Sequence, residues 1–321
     1  MQAAGRRCGE GRGQARAGGA RMTRQPDPPM AAASAWGDAV PPSAALAPTG
    51  AAVPAGVSAV GLLDARLSGW YREDTGELFR GVPIGADDVV VDVGCGAGVN
   101  SVFCVRHGAR VIALDRQPRL LREVRRGLAA ADARAATALA ACAERLPLRD
   151  GVATRLVCTE LLQHVDDPRQ LLAELYRVGG VGALYLLSVP DARQEALQQQ
   201  ALPPDYLEQP GARRVIGRDA FAQLVTDAGL TVLEHTQYGF FWSIWWALFP
   251  ACGVELDDPA HPVLDHWVAT WHALLQTPQG RQLQQRLDRF LPLSQVIVAR
   301  KSGVRAQDRH ADPEDTTDAA A

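Results

Sequence analysis

The sequence contains one lysine, Lys301, among its 33 basic residues, only three methionines, and six cysteines. The cysteines (Cys8, Cys95, Cys104, Cys142, Cys158, Cys252) form no C-x-x-C pair and have no histidine at metal-ligand spacing. A disulfide framework and a structural metal site are therefore not expected, and reduced core cysteines in a cytoplasmic protein are. No apolar run reaches the roughly 18 residues that a membrane span requires. A basic excess is also missing: the net charge of -3 argues against a general nucleic-acid binder. The N-terminal arginines lack the apolar core of a secretion signal and the serine enrichment of a transit peptide, so no targeting segment is expected. Scarce lysine beside abundant arginine and alanine reads as the base composition of a GC-rich genome.

What is present is a chain of 321 residues, 47% of them hydrophobic, enough for one sizeable α/β domain with additions. Residues 1–56 are rich in Ala, Gly, Pro and Arg without apolar periodicity and read as disordered, with Met22 and Met30 as alternative starts. Residues 57–302 read as the folded domain. Residues 303–321 read as a disordered acidic tail.

Organisation centres on Val89 to Ser101, VVVDVGCGAGVNS. A β-branched run meets Asp92 and then Gly94, Gly96 and Gly98, ahead of a helix-compatible stretch. A strand turning sharply into a helix N-terminus presents backbone N–H groups to a polar ligand, and glycines allow the tight bend. The third glycine of a dinucleotide fingerprint would stand at position 99, where this chain has Val99. The acid two residues before the first glycine would repel a pyrophosphate and suits a ligand with an ammonium group. That chemistry favours S-adenosylmethionine over NAD.

Strand and helix patterns then alternate, which predicts right-handed crossovers and a parallel sheet. Strands are expected at 88–93, Arg110 to Leu114 followed by Asp115, 136–141, Arg155 to Thr159, Ala183 to Val189, and Leu230 to His235. Helices are expected over 57–67, 99–107, 117–131, from Pro168 to Val178, and from Arg218 to Ala228, with Gly229 ending the last. Gly69 to Arg80 reads as a polar, aromatic connection in which Tyr71 and Arg72 either pack or close over the ligand. A Gln- and Pro-rich connection follows the fifth strand. After Tyr238 to Pro250 (YGFFWSIWWALFP) come helices near 263–276 and 279–290. Ser294 to Arg300 then supplies a last strand, expected antiparallel beside strand six.

The stretches VDVGCGAG, VIALD, AERLPL, ELLQHVDDP and LYLLSVP occur in an order that resembles class I S-adenosylmethionine-dependent methyltransferases (EC 2.1.1.-). The resemblance is to the type 11 group, which includes ubiquinone and menaquinone biosynthesis enzymes. It is close over Val89 to Pro190 and looser to Lys301. It implies a Rossmann-like, doubly wound α/β sheet of seven strands, mostly parallel with the last antiparallel, and a helical insert at 238–292. It implies S-adenosyl-L-methionine as cofactor, its ammonium and tail held by Asp92 and the backbone at Gly94. Asp115 would take both ribose hydroxyls. Cys95, Gly96, Arg116, Cys142, Ala143, Glu144 and Glu160 complete the implied cofactor wall. Cys142 stands where many relatives carry an Asp for the adenine amino group, which leaves the Ala143 N–H to bind the ring. Relatives often have an aromatic after Asp150 and Gly151, where this chain has Val152, Ala153 and Thr154. The catalytic candidates are His164, as a base for a hydroxyl acceptor, and Glu160, as an orienting group.

The acceptor expected from this resemblance is a small or lipid-like molecule. A catalytically impaired cofactor-binding scaffold is the alternative, motivated by Cys142 and Thr154. Nucleic-acid methylation is disfavoured by the charge and by the absence of an N-P-P-Y-type run. The aromatic run spaces Phe241, Trp245 and Phe249 four residues apart, so on a helix it makes one wide face. That face suits core packing, an acceptor pocket, or weak contact with a membrane surface, the last weakened by the lack of Lys and Arg there. His261, His266 and His272 form no H-x-x-x-H pair, and no zinc site is expected. No motif dictates an oligomeric state.

Overall fold

The computed structural model describes residues 59–131, 135–201, 214–254 and 260–303. The expectations for residues 1–56 and for the tail beyond 303 lie outside these residues.

The glycine-led strand, β3 (Val89–Val93), lies inside a seven-stranded sheet. On one side it pairs in parallel with β4 (Arg110–Asp115), which pairs in parallel with β5 (Ala136–Ala140). On the other side it meets β6 (Ala153–Thr159), then β7 (Gly179–Pro190), both parallel. The final strand β9 (Ser294–Lys301) runs antiparallel between β7 and β8 (Leu230–Tyr238). The sheet order is thus β5-β4-β3-β6-β7-β9-β8, the mostly parallel arrangement with one reversed strand expected above. Strands are added outward in one direction from β3 and in the other from β6, and in such sheets ligands bind beyond the strand C-termini at that switch point.

Alternation along β3 sends neighbouring side chains to opposite faces. Val91 and Val93 join a core with Leu171, Leu172 and Leu175 of α4 (Pro168–Val178) and Phe221 and Val225 of α6 (Arg218–Asp227). Val90 faces the other way, against Phe103 and Cys104 of α2 (Val99–Arg106). Beside α2, α3 (Pro118–Ala130) packs Leu121, Val124 and Leu128 onto β4 and β5. Asp167 caps α4 by accepting from the Arg169 and Gln170 amides, a reason for the helix to start at Pro168.

Three segments differ from expectation. The connection Gly69 to Arg80 contains a hairpin strand, β1 (Glu77–Phe79), paired with β2 (Val82–Pro83), and Leu78, Phe79 and Val82 are buried in the second core. Its charged residues had masked three apolar side chains that all turn inward. The connection after β7 begins with a helix, α5 (Ala192–Ala201), which has no apolar periodicity to announce it. Strand β7 extends back to Gly179, which pairs with Ala153, and the Tyr185 hydroxyl fills the space that a side chain at Gly179 would need.

The aromatic run forms α7 (Phe240–Cys252) and packs against α8 (Pro262–Leu275). Phe241, Trp242, Trp245, Trp246 and Phe249 are all buried with Leu264, Val268 and Trp271. Helix formation puts the stripe on the inside of a small subcore, so these rings are not a surface for a membrane. No helix among the described residues is long and apolar enough to cross a membrane. Two buried acids tie this subcore together. Asp288, on α9 (Gly280–Phe290), accepts from the Gly239 and Phe240 amides at 3.1 and 2.9 Å and so caps α7. Asp64, on α1 (Ala59–Ser68), accepts from Trp271 Nε1 at 2.8 Å.

A Cβ on Gly280 would sit 2.2 Å from the Leu274 carbonyl oxygen and 2.8 Å from Leu275 Cα. Backbone cannot yield as a flexible side chain does. Gly280→Ala is therefore expected to destabilise the protein by about 1–3 kcal/mol, as overpacking does, which urea denaturation would measure. An unchanged midpoint would show that α9 shifts freely.

Candidate functional site

The C-terminal ends of β3, β4, β5 and β6 bring the sequence-selected residues to one edge of the sheet. Gly94, Gly96 and Gly98 all have positive φ (71°, 53° and 83°), a region that only glycine enters without strain. A Cβ on Gly94 would also stand 2.8 Å from Leu161 Cδ2, so the bend is both left-handed and tightly covered. The loop's amides are used differently from the expectation of N–H groups aimed at a ligand. Gly94 and Cys95 donate to the Leu114 carbonyl at 2.8 and 3.0 Å. Gly96 N–H donates to Asp115 Oδ2 at 3.1 Å. These bonds clamp the loop to the end of β4 and set its shape.

Asp92 lies behind the bend, 1% exposed, with its Oδ2 accepting from Ser101 Oγ at 2.6 Å. Burial pushes its carboxyl up to about 6, opposed by the Ser101 bonds and reinforced by Asp115. Asp115 is 9% exposed and accepts from the Gln117 amide at 2.8 Å as well as from Gly96. Burial raises its pKa too, and the Gln117 and Gly96 amides pull the other way. Two neighbouring buried carboxyls that resist ionisation gain most from a cationic or hydroxyl-rich ligand. Arg116 is exposed beside them.

The AERLPL stretch follows β5. Ala141 N–H donates to the Asp115 carbonyl at 3.1 Å, joining this segment to the β4 edge. Cys142 is exposed, its thiol 3.6 Å from Glu144 Oε2, and Ala143 is half-buried. Glu144 Oε1 accepts from the Asp167 amide at 2.7 Å, so its carboxylate braces the start of α4.

Beyond β6, Glu160 is the one non-glycine residue with positive φ among the described residues, at 54°. That conformation is strained for a side chain-bearing residue and is maintained by its surroundings. The Glu160 amide donates to the Ser188 carbonyl at 3.0 Å, and Ser188 Oγ donates to Glu160 Oε1 at 2.8 Å. Gln163 Nε2 reaches Glu160 Oε2 at 3.5 Å and lies 3.2 Å from His164 Nε2. Burial raises Glu160 to about 7, against the bonds from Ser188, Ser294 and Gln163, with the Glu195 carboxyl adding to the rise. A carboxyl at that value exchanges protons near neutral pH.

Sequence reasoning missed several members of this edge. Asn100 Oδ1 accepts from Trp70 Nε1 at 3.2 Å and from Tyr71 OH at 3.0 Å, while its amide approaches Thr159 Oγ1 at 3.4 Å. Tyr71 is buried and stacked on Phe103, and Arg72 pairs with Glu77, so this pair is a packed linker. Ser188, Gln163 and Glu195 carry no motif. Only the adjacency of β6 and β7 joins them to Glu160. His261, His266 and His272 lie on or beside α8, and among the described residues no group of His, Cys, Asp or Glu could hold a metal ion.

A family model described as a methyltransferase domain matches residues 91–187. The ubiquinone biosynthesis O-methyltransferase of Xanthomonas oryzae pv. oryzae is 31% identical over 122 residues, 37% of this chain and 49% of the relative. The protein of the same name from Xylella fastidiosa is 32% identical over 94 residues, 28% of this chain and 38% of its own. The chain spans about half the length of the curated relatives it matches. A solved geranyl diphosphate methyltransferase in complex with SAM has a TM-score of 0.47 at 16% identity, over 68% of this chain and 80% of that one. The acid-led glycine bend and the second acid on β4 lie within or at the edge of residues 91–187, the stretch that matches a methyltransferase domain, and the sheet around them has a Rossmann-like order of seven strands with one reversed.

Proposed function

We propose that this chain transfers a methyl group from S-adenosylmethionine to a hydroxyl of a small or lipid-like molecule. The observation that carries the reading is the pair of buried carboxyls, Asp92 and Asp115, flanking a bend whose three glycines all have positive φ. The names of the curated relatives support oxygen as the atom methylated. When bound, the cofactor supplies an electrophilic methyl on a sulfonium with a neutral leaving group.

Asp115 accepts the ribose hydroxyls with the lone pairs that its two backbone donors leave free. The carbonyls around Gly94, Cys95 and Gly96 receive the ammonium, and Asp92 acts from behind through its field, Ser101 fixing its rotamer. Cys142, Ala143 and Glu144 border the adenine, the Ala143 amide serving as donor, with Arg116 at the rim. Alignment and exclusion of water account for most of the catalysis in such a displacement.

A hydroxyl is a weak nucleophile until its proton is taken, and Glu160 is the group we assign as base. Its strained backbone aims it from the strand end, and near pH 7 it is half-ionised. His164 lies behind it with Gln163 against its ring, so we assign it to positioning.

Titration calorimetry with S-adenosylmethionine and with NADH tests the cofactor reading, and binding of NADH alone would reject it. Incubation with methyl-labelled cofactor and an extract of hydroxylated metabolites tests transfer. Binding without any product would favour the scaffold. Glu160→Gln is expected to lower kcat by about 10²–10⁴-fold, the usual range for a lost general base. The wild-type rate should rise with pH through about 7 as Glu160 ionises, and that limb should vanish in the variant. A variant with an unaltered pH profile would remove Glu160 from the chemistry.

A further inference from the structure

Helix α1 is tied to the rest of the protein by polar contacts more than by an apolar face. Among its described side chains Asp64 alone is fully buried, while Leu63, Ala65 and Leu67 are half-buried. Asp64 Oδ1 accepts from Trp271 Nε1 of α8 at 2.8 Å, and Trp242 of α7 is a second donor to the carboxyl. At the end of the helix, Ser68 Oγ lies 2.6 Å from Tyr238 OH, and the Ser68 carbonyl accepts from Gln284 Nε2 of α9 at 3.1 Å. Gln284 also donates to Asp288 Oδ2 at 2.8 Å. One short helix thus meets α7, α8, α9 and β8 through a shared polar network.

The same helix leads to the glycine bend. It stops where the Gly69, Trp70 and Tyr71 amides all turn to the Ala65 carbonyl. Trp70 and Tyr71 then reach Asn100, in the first turn of α2, and the Tyr71 hydroxyl feels the charge of Asp92. Helix α1 therefore spans from the aromatic insert to the loop assigned above to the cofactor.

The groups around Asp64 favour its neutral form. The Asp288 carboxyl on α9 adds to the rise that burial imposes. Tyr238 on β8 and Tyr71 beyond the helix are held by burial well above the usual phenol range and stay uncharged. On α8, burial lowers His272 to about 4, so it is neutral too. Arg66, the cation on the helix itself, pairs with Glu73 at 3.4 Å. An ionised Asp64 in the docked helix is a buried charge beside a second acid, which is costly.

We infer that α1 is a strap latched by the uncharged Asp64 carboxyl, and that ionisation of Asp64 releases it and slackens the glycine bend. A detached helix exposes Asp64 to water, where it has the ordinary carboxylate value, so the docked form holds the proton more tightly. Docking is at full strength below that value and weakens by about tenfold per pH unit above it. The fall levels off once the docked carboxyl itself ionises near pH 8. The effect on the bend rests on the cofactor reading above; release of the helix does not.

Hydrogen exchange of the full, cofactor-free chain, corrected for the intrinsic rate at each pH, tests the release. Protection of residues 59–71 should fall by roughly tenfold or more between pH 5.5 and 8.5, with α4 the more protected throughout because the fold stays intact. In Asp64→Asn, which keeps an oxygen for Trp271 and cannot ionise, protection of residues 59–71 should be nearly independent of pH. Calorimetry reads the bend: affinity for S-adenosylmethionine should drop more between pH 6 and 8.5 in the wild type than in the variant. Constant protection in the wild type, or a parallel fall in the variant, would overturn the latch, and the wild-type profile decides alone if the variant does not fold. Equal loss of affinity in both proteins would overturn the link to the bend. A protein that binds no S-adenosylmethionine at either pH would instead sink the cofactor reading, with hydrogen exchange still deciding the latch.

Discussion

Asp115→Ala is expected to weaken S-adenosylmethionine binding by about 1–3 kcal/mol, the range for lost hydrogen bonds to a charged acceptor. Two effects combine. The carboxylate disappears from the ribose position, and the Gly96 and Gln117 amides that it holds at 3.1 and 2.8 Å lose their acceptor. Asp115→Asn separates them, because its single carbonyl oxygen can keep one amide while its NH2 cannot accept from a ribose hydroxyl. Calorimetry should order the affinities as wild type, then Asn, then Ala. Thermal denaturation without cofactor should show a loss of stability chiefly for Ala. Unchanged affinity in Asp115→Ala would mean that the ribose lies elsewhere.

The second large effect is on stability against pH. Burial raises Asp64 to about 8, with the nearby Asp288 adding and the Trp271 bond opposing. Glu160 and Glu195 are raised to about 7, and Asp92 and Asp288 to about 6. For each of these the folded protein binds its proton more tightly than the unfolded chain does. The stability they contribute is complete below the ordinary carboxylate range and is lost as pH climbs through the folded values. His272 works oppositely: burial lowers it to about 4, so below the usual histidine value the unfolded chain takes up a proton that the fold refuses.

The five carboxyls outweigh the one histidine, so the cofactor-free protein is expected to be less stable at pH 8.5 than at pH 6. Asp64 contributes on the order of 2 kcal/mol to that decline, at about 1.4 kcal/mol per pH unit between the midpoints. Asp64→Asn retains an oxygen for Trp271 Nε1 and cannot ionise. Its denaturation midpoint should therefore be flatter with pH and should exceed that of the wild type at pH 8.5. Parallel curves for the two proteins would show that Asp64 is not a buried acid.

Much of the fold was legible because its signals are local. The β-branched run before Asp92, the Pro168 helix start and the alternation of strands with helices each follow from a few contiguous residues. The order of motifs also located Asp92, Asp115 and Glu160 on separate strand ends. The hairpin at Glu77 to Pro83 was not legible, since three inward apolar residues among charged ones make no period. Helix α5 was missed for the same reason: RQEALQQ shows no stripe, and with it Glu195 went unnoticed. The aromatic run left three readings open, because spacing announces a face and not its neighbour.

From the sequence by itself follow the parallel α/β sheet, the acid-led glycine bend and the second acid one strand away, because backbone geometry and hydrophobic period are written into neighbouring residues. Only the tertiary structure decided that the tryptophans face α8, that the loop amides serve Leu114 and Asp115, and that Glu160 shares its corner with Ser188, Gln163 and Glu195. Each of those depends on residues far apart in the chain, brought together when β6 and β7 pair and the helices close over them. No local pattern can encode such a meeting.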